Sequence, residues 1–547
     1  MLFWRLVLLG LLLLFLSLSF GQWQEKDVQK RYSRSVVNMD ELLNIEDDLV
    51  SNVEKLAEAL SRKAKTIKWG VFKMMKRRQK YKTSRELFAN PIDSFSLVRH
   101  MQSDWLMWLV YLEKPVGEEE LAYLHSRMPL LPKYSDFIDA AEGIRKMQAT
   151  YQMLASDIAN GLLDGVQYNS SLKPIDCLAM GHHLMNDSRW SAAEQWISAG
   201  IEVKGKKGKS SSMEMELLRG PKVADLCRTL GQVQMKQKNH EAALQAYQLA
   251  LKLSPHDAEI FAEYRVLEQR YLTLSSIEPI EQEDEDSDGE SLLFPPCCSG
   301  RCEVSRNLTG LYCVYNHVTS PFLQLAPIKT EILSIDPFVL LFHDMISQKE
   351  STLIRSSSKE HMLPSATTDV DASGSEDHVA TFRTSKSVWY SSTSNDTTKR
   401  ITERLGDATG LDMNFTEYFQ VINYGLGGFF ETHLDMLLSD RSRFNGTRDR
   451  LATTLFYLNE VRQGGGTHFP RLNLTVFPQP GSALFWYNLD TRGNDHTSTL
   501  HTGCPVIVGS KWVMSKWVED AGQEFKRPCV DSSSSTKELP SAERLLI

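Results

Sequence analysis

The sequence predicts a multidomain α+β chain: an N-terminal all-α region that includes paired-helix repeats, followed by a C-terminal antiparallel β domain of jelly-roll type. Three observations predict it. A one-faced apolar stripe lies near the start, a degenerate repeat occupies the middle, and short strand-like segments broken by glycine and proline fill the last third. At 547 residues the chain is too long for a single hydrophobic core.

The order begins with Met1 to Arg5, an apolar run from Leu6 to Phe20, and then Gly21-Gln22 and charged sequence. A basic start, a short apolar core and small residues near Ser19 and Gly21 predict a cleaved signal peptide over 1–21. The apolar run falls short of the roughly 18 to 20 residues needed to cross a bilayer, so no membrane anchor is expected after cleavage. Seven Asn-x-Ser/Thr sequons, at Asn169, Asn186, Asn307, Asn395, Asn414, Asn445 and Asn473, agree with a lumenal address. The eight cysteines agree too, and the group Cys297, Cys298, Cys302 and Cys313 allows three full connectivities. Disulfides are expected there in preference to a Cys-x3-Cys zinc site. The 61 basic residues are dispersed among 69 acidic ones with a net charge of -8, which excludes a nucleic-acid-binding stripe.

Residues 22–165 read as a helical region of dimerisation type. From Met39 to Leu60 the apolar positions Leu42, Ile45, Leu49, Val53, Leu56 and Leu60 step by three or four, one stripe along a helix. The stripe suits either a short coiled coil or packing within a bundle. Further helical pattern covers Ser94 to Leu112 and Ser135 to Leu163. Over 166–275, Cys177, Gly181 and Ala193 recur as Cys227, Gly231 and Ala243. In the second copy Tyr247, Ala250 and Pro255 complete the offsets of a tetratricopeptide helix pair. Both cysteines take a core position, so they read as buried packing, and the stacked pairs as a groove for an extended peptide. An acidic run, Glu278 to Glu290, marks a linker within 276–330. Strands are expected at Phe338 to Phe342, Gln420 to Tyr424, Ala452 to Leu458, Leu474 to Phe477, Ala483 to Tyr487 and Pro505 to Val508, inside a domain spanning 331–530. A flexible tail, 531–547, closes the chain.

The chemistry gathers in that last domain. His433 and Asp435 stand two apart on an expected strand, so both face one side while Leu434 turns away. With His501 they supply two imidazoles and a carboxylate, a facial triad for non-haem iron that leaves positions for a chelating 2-oxo acid and O2. Lys511, ten residues past His501, is placed to fix the distal carboxylate of such an acid.

The run from Gln420 to Cys529 resembles the catalytic domain of the collagen-type prolyl 4-hydroxylase alpha subunits. The resemblance rests on Asn423-Tyr424-Gly425, Gly427-Gly428, Leu455-Phe456-Tyr457, Gly464-Gly465, Phe485-Trp486-Tyr487-Asn488, Cys504-Pro505-Val506, Lys511-Trp512, Lys516-Trp517 and Gly522-Gln523-Glu524-Phe525. In weaker form it extends over the whole mature chain. It implies a double-stranded β-helix oxygenase domain, Fe(II) held by His433, Asp435 and His501, and 2-oxoglutarate anchored by Lys511 and hydrogen-bonded by Tyr424. Ascorbate is an implied cofactor. So is hydroxylation of peptidyl proline in collagen or collagen-like proteins, with release of succinate and CO2. It further implies a Cys504–Cys529 disulfide, one bridge among Cys297 to Cys313, and an α2β2 assembly with protein disulfide isomerase in the lumen of the endoplasmic reticulum. The chain ends Arg-Leu-Leu-Ile without a retention tetrapeptide, so a retained partner would explain that residence. His468 is not expected to be a ligand, because its position is apolar in those relatives. Leu500 stands where relatives often carry Arg, and Met185, Ala262 and Arg265 where the groove's Tyr, Asn and Tyr are sought. These departures leave the iron chemistry intact and admit a substrate other than long collagen-like repeats. The alternatives are the same oxygenase acting on another residue, or a silent peptide-binding subunit.

Overall fold

The computed structural model describes residues 31–79, 89–206, 220–274, 296–302, 313–367, 378–379, 383–436 and 449–528. The signal segment, the acidic run, Cys529 and the tail lie outside the described residues. The chain forms two compact units, one of Val37–Lys133 and one of the residues up to Val36 with Tyr134 onward.

In the first unit the apolar stripe lies on helix α1 (Val37–Gln79), which runs well past the stripe. It is followed by α2 (Pro91–Arg99), α3 (Trp105–Glu113) and α4 (Glu118–Arg127). Helix α1 packs on α4: Ile45 is buried, and the buried Asn52 amide donates to the Glu120 carbonyl at 2.8 Å. Val53 and Leu60 of the stripe stay exposed.

The second unit opens with α5 (Tyr134–Tyr151), where the helical pattern expected to reach Leu163 breaks. Gln152 takes φ 52°, α6 (Ala155–Ala159) is a single turn, and Leu162–Leu163 pairs with Val166–Gln167 as a small hairpin. The repeat is two antiparallel pairs, α7 (Pro174–Asn186) with α8 (Trp190–Lys206) and α9 (Val223–Lys236) with α10 (His240–Leu253), closed by α11 (Ala258–Leu274). Its glycines permit the close approach: a Cβ on Gly181 would meet Ile197, and one on Gly231 the Tyr247 ring. Cys177 and Cys227 are buried in these seams as expected, and burial pushes the Cys177 thiol up to about 11.

The remainder is a jelly roll of two facing antiparallel sheets. The nine-stranded sheet runs β1 (Cys313–Asn316), β2 (Ile328–Ile335), β3 (Phe338–Phe342), β11 (Ala483–Tyr487), β8 (Arg450–Tyr457), β13 (Trp512–Glu519), β6 (Phe419–Tyr424), β5 (Ser385–Tyr390) and β4 (Leu363–Pro364). The four-stranded sheet is β7 (Phe430–His433), β12 (His501–Gly503), β9 (Thr467–Phe469) and β10 (Leu474–Val476). Val339, Leu341, Ile422, Tyr457 and Val513 of the large sheet meet Phe469 and Val476 of the small one, and the Tyr457 hydroxyl donates across to Thr467 Oγ1 at 2.9 Å. On the outer face α12 (Gln348–Ser358) and α13 (Asp396–Thr409) bury Ile354, Ile401 and Leu405. With both faces covered, β6 is buried at every residue.

The cysteines correct one expectation. Cys504 bonds to Cys298, so it does not pair with Cys529, while Cys297 bonds to Cys302 within the expected group. The reason is proximity: the turn at Pro296–Ser299 packs beside β9 and β10, with Thr475 Oγ1 donating to the Cys297 carbonyl at 3.0 Å. That brings Cys298 to the end of β12, 5.6 Å between Cα atoms from Cys504. Cys313 carries no bridge and is exposed.

Candidate active site

Strands β7 and β12 carry the two imidazoles, and their antiparallel register makes His433 and His501 direct cross-strand partners. Such neighbours share one face of the sheet, which brings the rings to 4.3 Å between centroids. Asp435 differs from expectation in its local structure. Strand β7 ends at His433, so Asp435 sits two residues beyond it, and Leu434 lines the same cavity. Even so, Asp435 Oδ1 lies 3.5 Å from His433 Nε2 and Oδ2 lies 3.9 Å from His501 Nε2. The three donor atoms lie within 4.8 Å of one another.

Each imidazole is oriented from behind. His433 Nδ1 stands 2.7 Å from the Glu431 carbonyl and His501 Nδ1 2.9 Å from that of Thr499, so each Nδ1 carries the proton and Nε2 presents its lone pair. His501 is caged by Trp486 and Phe469, with centroids at 4.8 and 5.6 Å. Burial and the neighbouring His433 push it down to about 4, which keeps it neutral. Burial alone would raise Asp435, but at the acid pH where it would titrate, the protonated His501 and His433, with Arg450, hold its carboxyl well below the usual range. Thr453 Oγ1 donates to Asp435 Oδ2 at 2.7 Å, and Asn488 Nδ2 donates to Thr453 Oγ1 at 2.9 Å.

These residues line a cavity of about 400 Å³ between the two sheets, shared with Tyr424 and Lys511. Lys511 enters from the start of β13, 2 % exposed, its Nζ 5.1 Å from the centre of the Tyr424 ring. Among the described residues no carboxylate pairs with it, and burial pushes it down to about 7. The structure thus brings together all five residues that the sequence singles out. His468 stands apart on β9, its Nδ1 2.8 Å from Thr475 Oγ1.

Sequence reasoning misses several members of the cavity. The Arg383 guanidinium stacks 4.6 Å from the Phe430 ring centre, beside the Tyr424 hydroxyl and Asp435. At the mouth Trp389 and Trp517 stand 6.0 Å apart, and Arg450 lies 4.2 Å over Trp517 while its other side pairs with Glu417. Their partners lie on strands remote in sequence; Trp517 stands in one of the quoted motifs but with no role assigned, and nothing in the linear pattern marks Arg383, Trp389 or Arg450.

The donor set fits Fe(II) with a 2-oxo acid. Two neutral imidazoles and one ionised carboxylate converge on one side, and a buried lysine with no paired carboxylate among the described residues stands across the cavity. The sequence matches the prolyl 4-hydroxylase alpha-subunit N-terminal region over residues 35–165, a tetratricopeptide repeat over 224–257 and the 2OG-Fe(II) oxygenase superfamily over 419–519. Prolyl 4-hydroxylase subunit alpha-1 of Mus musculus is 30% identical over 529 residues, 90% of this chain and 95% of its own. The chain belongs to the prolyl 4-hydroxylase alpha-subunit family. A second alpha-subunit relative, subunit alpha-1 of Caenorhabditis elegans, is 30% identical over 91% of this chain and 87% of its own. A solved viral collagen prolyl hydroxylase from Paramecium Bursaria Chlorella virus-1, in complex with 2-oxoglutarate, is 22% identical over 33% of this chain and 95% of its own, with a TM-score of 0.28. This alpha-type chain is therefore an enzyme of the Fe(II)- and 2-oxoglutarate-dependent oxygenases. No helix among its described residues is long and apolar enough to cross a membrane.

Proposed function

We propose that the chain is the catalytic alpha-type subunit of a peptidyl-proline 4-hydroxylase, with His433, Asp435 and His501 as the iron ligands and Lys511 as the anchor of 2-oxoglutarate. The observation that carries this reading is the cross-strand pairing of His433 with His501 beside Asp435, facing a buried lysine in one cavity. Fe(II) held there would supply the oxidation chemistry: O2 would be the oxidant, one of its oxygen atoms ending in succinate as 2-oxoglutarate loses CO2 and the other in the hydroxyl at C4 of proline. The protein contributes position and charge. Glu431 and Thr499 carbonyls fix both imidazole tautomers, and Thr453 orients the Asp435 carboxylate. Lys511 in its ammonium form neutralises the co-substrate's distal carboxylate, with Tyr424 donating beside it.

The mouth supports a peptide substrate. Trp389 and Trp517 present ring faces against which a pyrrolidine can pack, and Arg450 and Gln420 border the same opening with polar groups for a peptide backbone. Family membership supports the rest of the reading: collagen-like or proline-rich substrates, ascorbate as reductant, and an α2β2 complex with protein disulfide isomerase in the endoplasmic reticulum. Its expected domains are a dimerisation region over 22–165, a tetratricopeptide-like groove over 166–275 and the oxygenase over 331–530.

The test is to co-express the chain with protein disulfide isomerase, add Fe(II), ascorbate and labelled 2-oxoglutarate, and analyse proline-rich peptides by mass spectrometry. Peptide-stimulated succinate and 4-hydroxyproline are expected, and both should vanish in His433→Ala. Product that persists in that variant, or no peptide-stimulated succinate at all, sinks the reading. Hydroxyl on another residue type sinks only the substrate.

A further inference from the structure

A second cavity, of about 390 Å³, lies between α5, the end of α7 and strand β7, apart from the oxygenase cavity. Three donors converge on it: Glu142 from α5, and His183 and Asp187 four residues apart at the end of α7. His183 Nε2 lies 3.9 Å from Glu142 Oε2 and 3.8 Å from Asp187 Oδ2, and all three donor atoms fall within 4.8 Å. His183 is only 6% exposed, and its Nε2 is buried with no hydrogen-bond partner. A buried ring nitrogen without a partner is costly unless something binds there.

We propose that Glu142, His183 and Asp187 form a second metal site, structural in role, that takes one Zn2+ ion. Metal bonds to nitrogen and oxygen are about 2.0–2.2 Å long, and the three donors need only a fraction of an ångström of closure around such an ion. One imidazole with two carboxylates selects a transition metal over calcium or magnesium. Residues i and i+4 share a helix face, so His183 and Asp187 chelate from one side, and the carbonyl end of α7 favours a cation by its dipole. Glu142 is held from behind as a ligating carboxylate should be: Arg145 Nε and Nη2 donate to its two oxygens at 2.8 and 2.6 Å, each of which keeps a further lone pair. Burial works against the Glu142 charge, but Arg145, with Lys146 nearby, offsets that and holds it ionised. Arg145 and Lys146 also repel an incoming cation, so neither carboxylate is dispensable. Lys146 pairs with Glu431 of β7, which places the site at the seam between the helical layers and the strand that carries His433.

The experiment uses the full chain, co-expressed with its partner, stripped by chelator and carrying Asp435→Ala so that the oxygenase site is crippled. It reads no turnover, and its outcome is therefore independent of the proposed activity. Zn2+ is added and binding followed by equilibrium dialysis, with thermal unfolding in parallel. One equivalent per chain is expected to bind and raise Tm. Asp187→Asn in the same background should weaken that equivalent by about tenfold or more and abolish the Zn2+-dependent rise in Tm. Asp187 is half exposed, so this variant keeps its fold, and its metal-free Tm serves as the control. Glu142→Gln provides a second variant with the same expectation. No stoichiometric Zn2+ in the Asp435→Ala chain, or unchanged affinity in both added variants, overturns the proposal.

Discussion

His468 and Lys511 are both enclosed by the jelly roll, and each makes the molecule sensitive to pH in its own direction. His468 is pushed down to about 4 by burial, whereas a histidine in the unfolded chain titrates near 6.5. Between those values the unfolded state binds the extra proton. Its contribution is complete above pH 6.5 and lost as pH falls toward 4, about 3 kcal/mol at the limit. His468→Val should flatten that acid limb, as urea midpoints at pH 7 and pH 5 would show; an unchanged limb would contradict the assignment. Lys511 concerns ligand binding. With its free-state pKa near 7, carrying a carboxylate above that pH requires proton uptake, so 2-oxoglutarate affinity should fall by up to about tenfold per pH unit. Titration calorimetry in buffers of different ionisation heat would detect the proton, and Lys511→Met should erase the slope. At this scale the chemistry is largely legible, because histidines are few in the chain and His433 and His501 stand at telling intervals from Asp435 and Lys511. Arg383 and Arg450 are not legible, since an arginine earns no notice until its aromatic and acidic partners arrive from distant strands.

Among the elements, the strands Phe338–Phe342 and Ala483–Tyr487 are readable to the residue because apolar runs end at turns. Ser385–Tyr390 escapes notice because Ser and Lys make up its first half, and Trp512–Glu519 is not read as a strand because Ser515 and Lys516 interrupt its apolar run. Those polar groups are satisfied only in the fold: Lys516 is fully buried, and its Nζ donates to Ser392 Oγ at 2.6 Å. The turn between β6 and β7 shows how tightly elements meet around the site. Gly427 has φ +55°, and a Cβ on Gly143 of α5 would come within 2.2 Å of the Leu426 carbonyl. Gly143→Ala must push α5 off this turn, costing about 1–3 kcal/mol, and because the turn leads into β7 it should also lower kcat. A variant with unchanged Tm and kcat would show that the contact is not needed. The Cys298–Cys504 bridge closes 206 residues of chain, so removing it with Cys298→Ser should cost roughly 2–4 kcal/mol. Peptide mapping without reduction should recover the two cysteines linked to each other, and a Cys504–Cys529 peptide would overturn the pairing.

For the molecule as a whole, the Val37–Lys133 unit leaves large apolar side chains in the open. Ile92 and Phe95 on α2 and Met107 and Val110 on α3 are each at least 70% exposed. Scattered apolar residues on a surface are ordinary, but pairs of this size at three-residue spacing on consecutive helices mark a contact face. The expected outcome is self-association through this unit: Met107→Glu with Val110→Glu should reduce the assembly to one alpha-type chain in sedimentation, with the oxygenase reaction on short peptides retained. A dimer that survives would place the contact elsewhere. Another long-range tie lies within the second unit. Residues 31–36 thread against the catalytic domain, Leu426 N donating to the Ser33 carbonyl at 3.0 Å and Ser35 Oγ to Asn423 at 2.6 Å. Arg34 reaches Asp139 of α5 at 2.8 Å. The rung His433↔His501 is also the last of its ladder, for β7 stops at one residue and β12 starts at the other. Terminal rungs open most readily, so in the metal-free protein the amides around Thr432 and Thr502 should exchange with solvent early. An ion held by both side chains adds a tie between the strands at that rung, and its arrival becomes measurable as slowed deuterium uptake there, before any substrate is turned over.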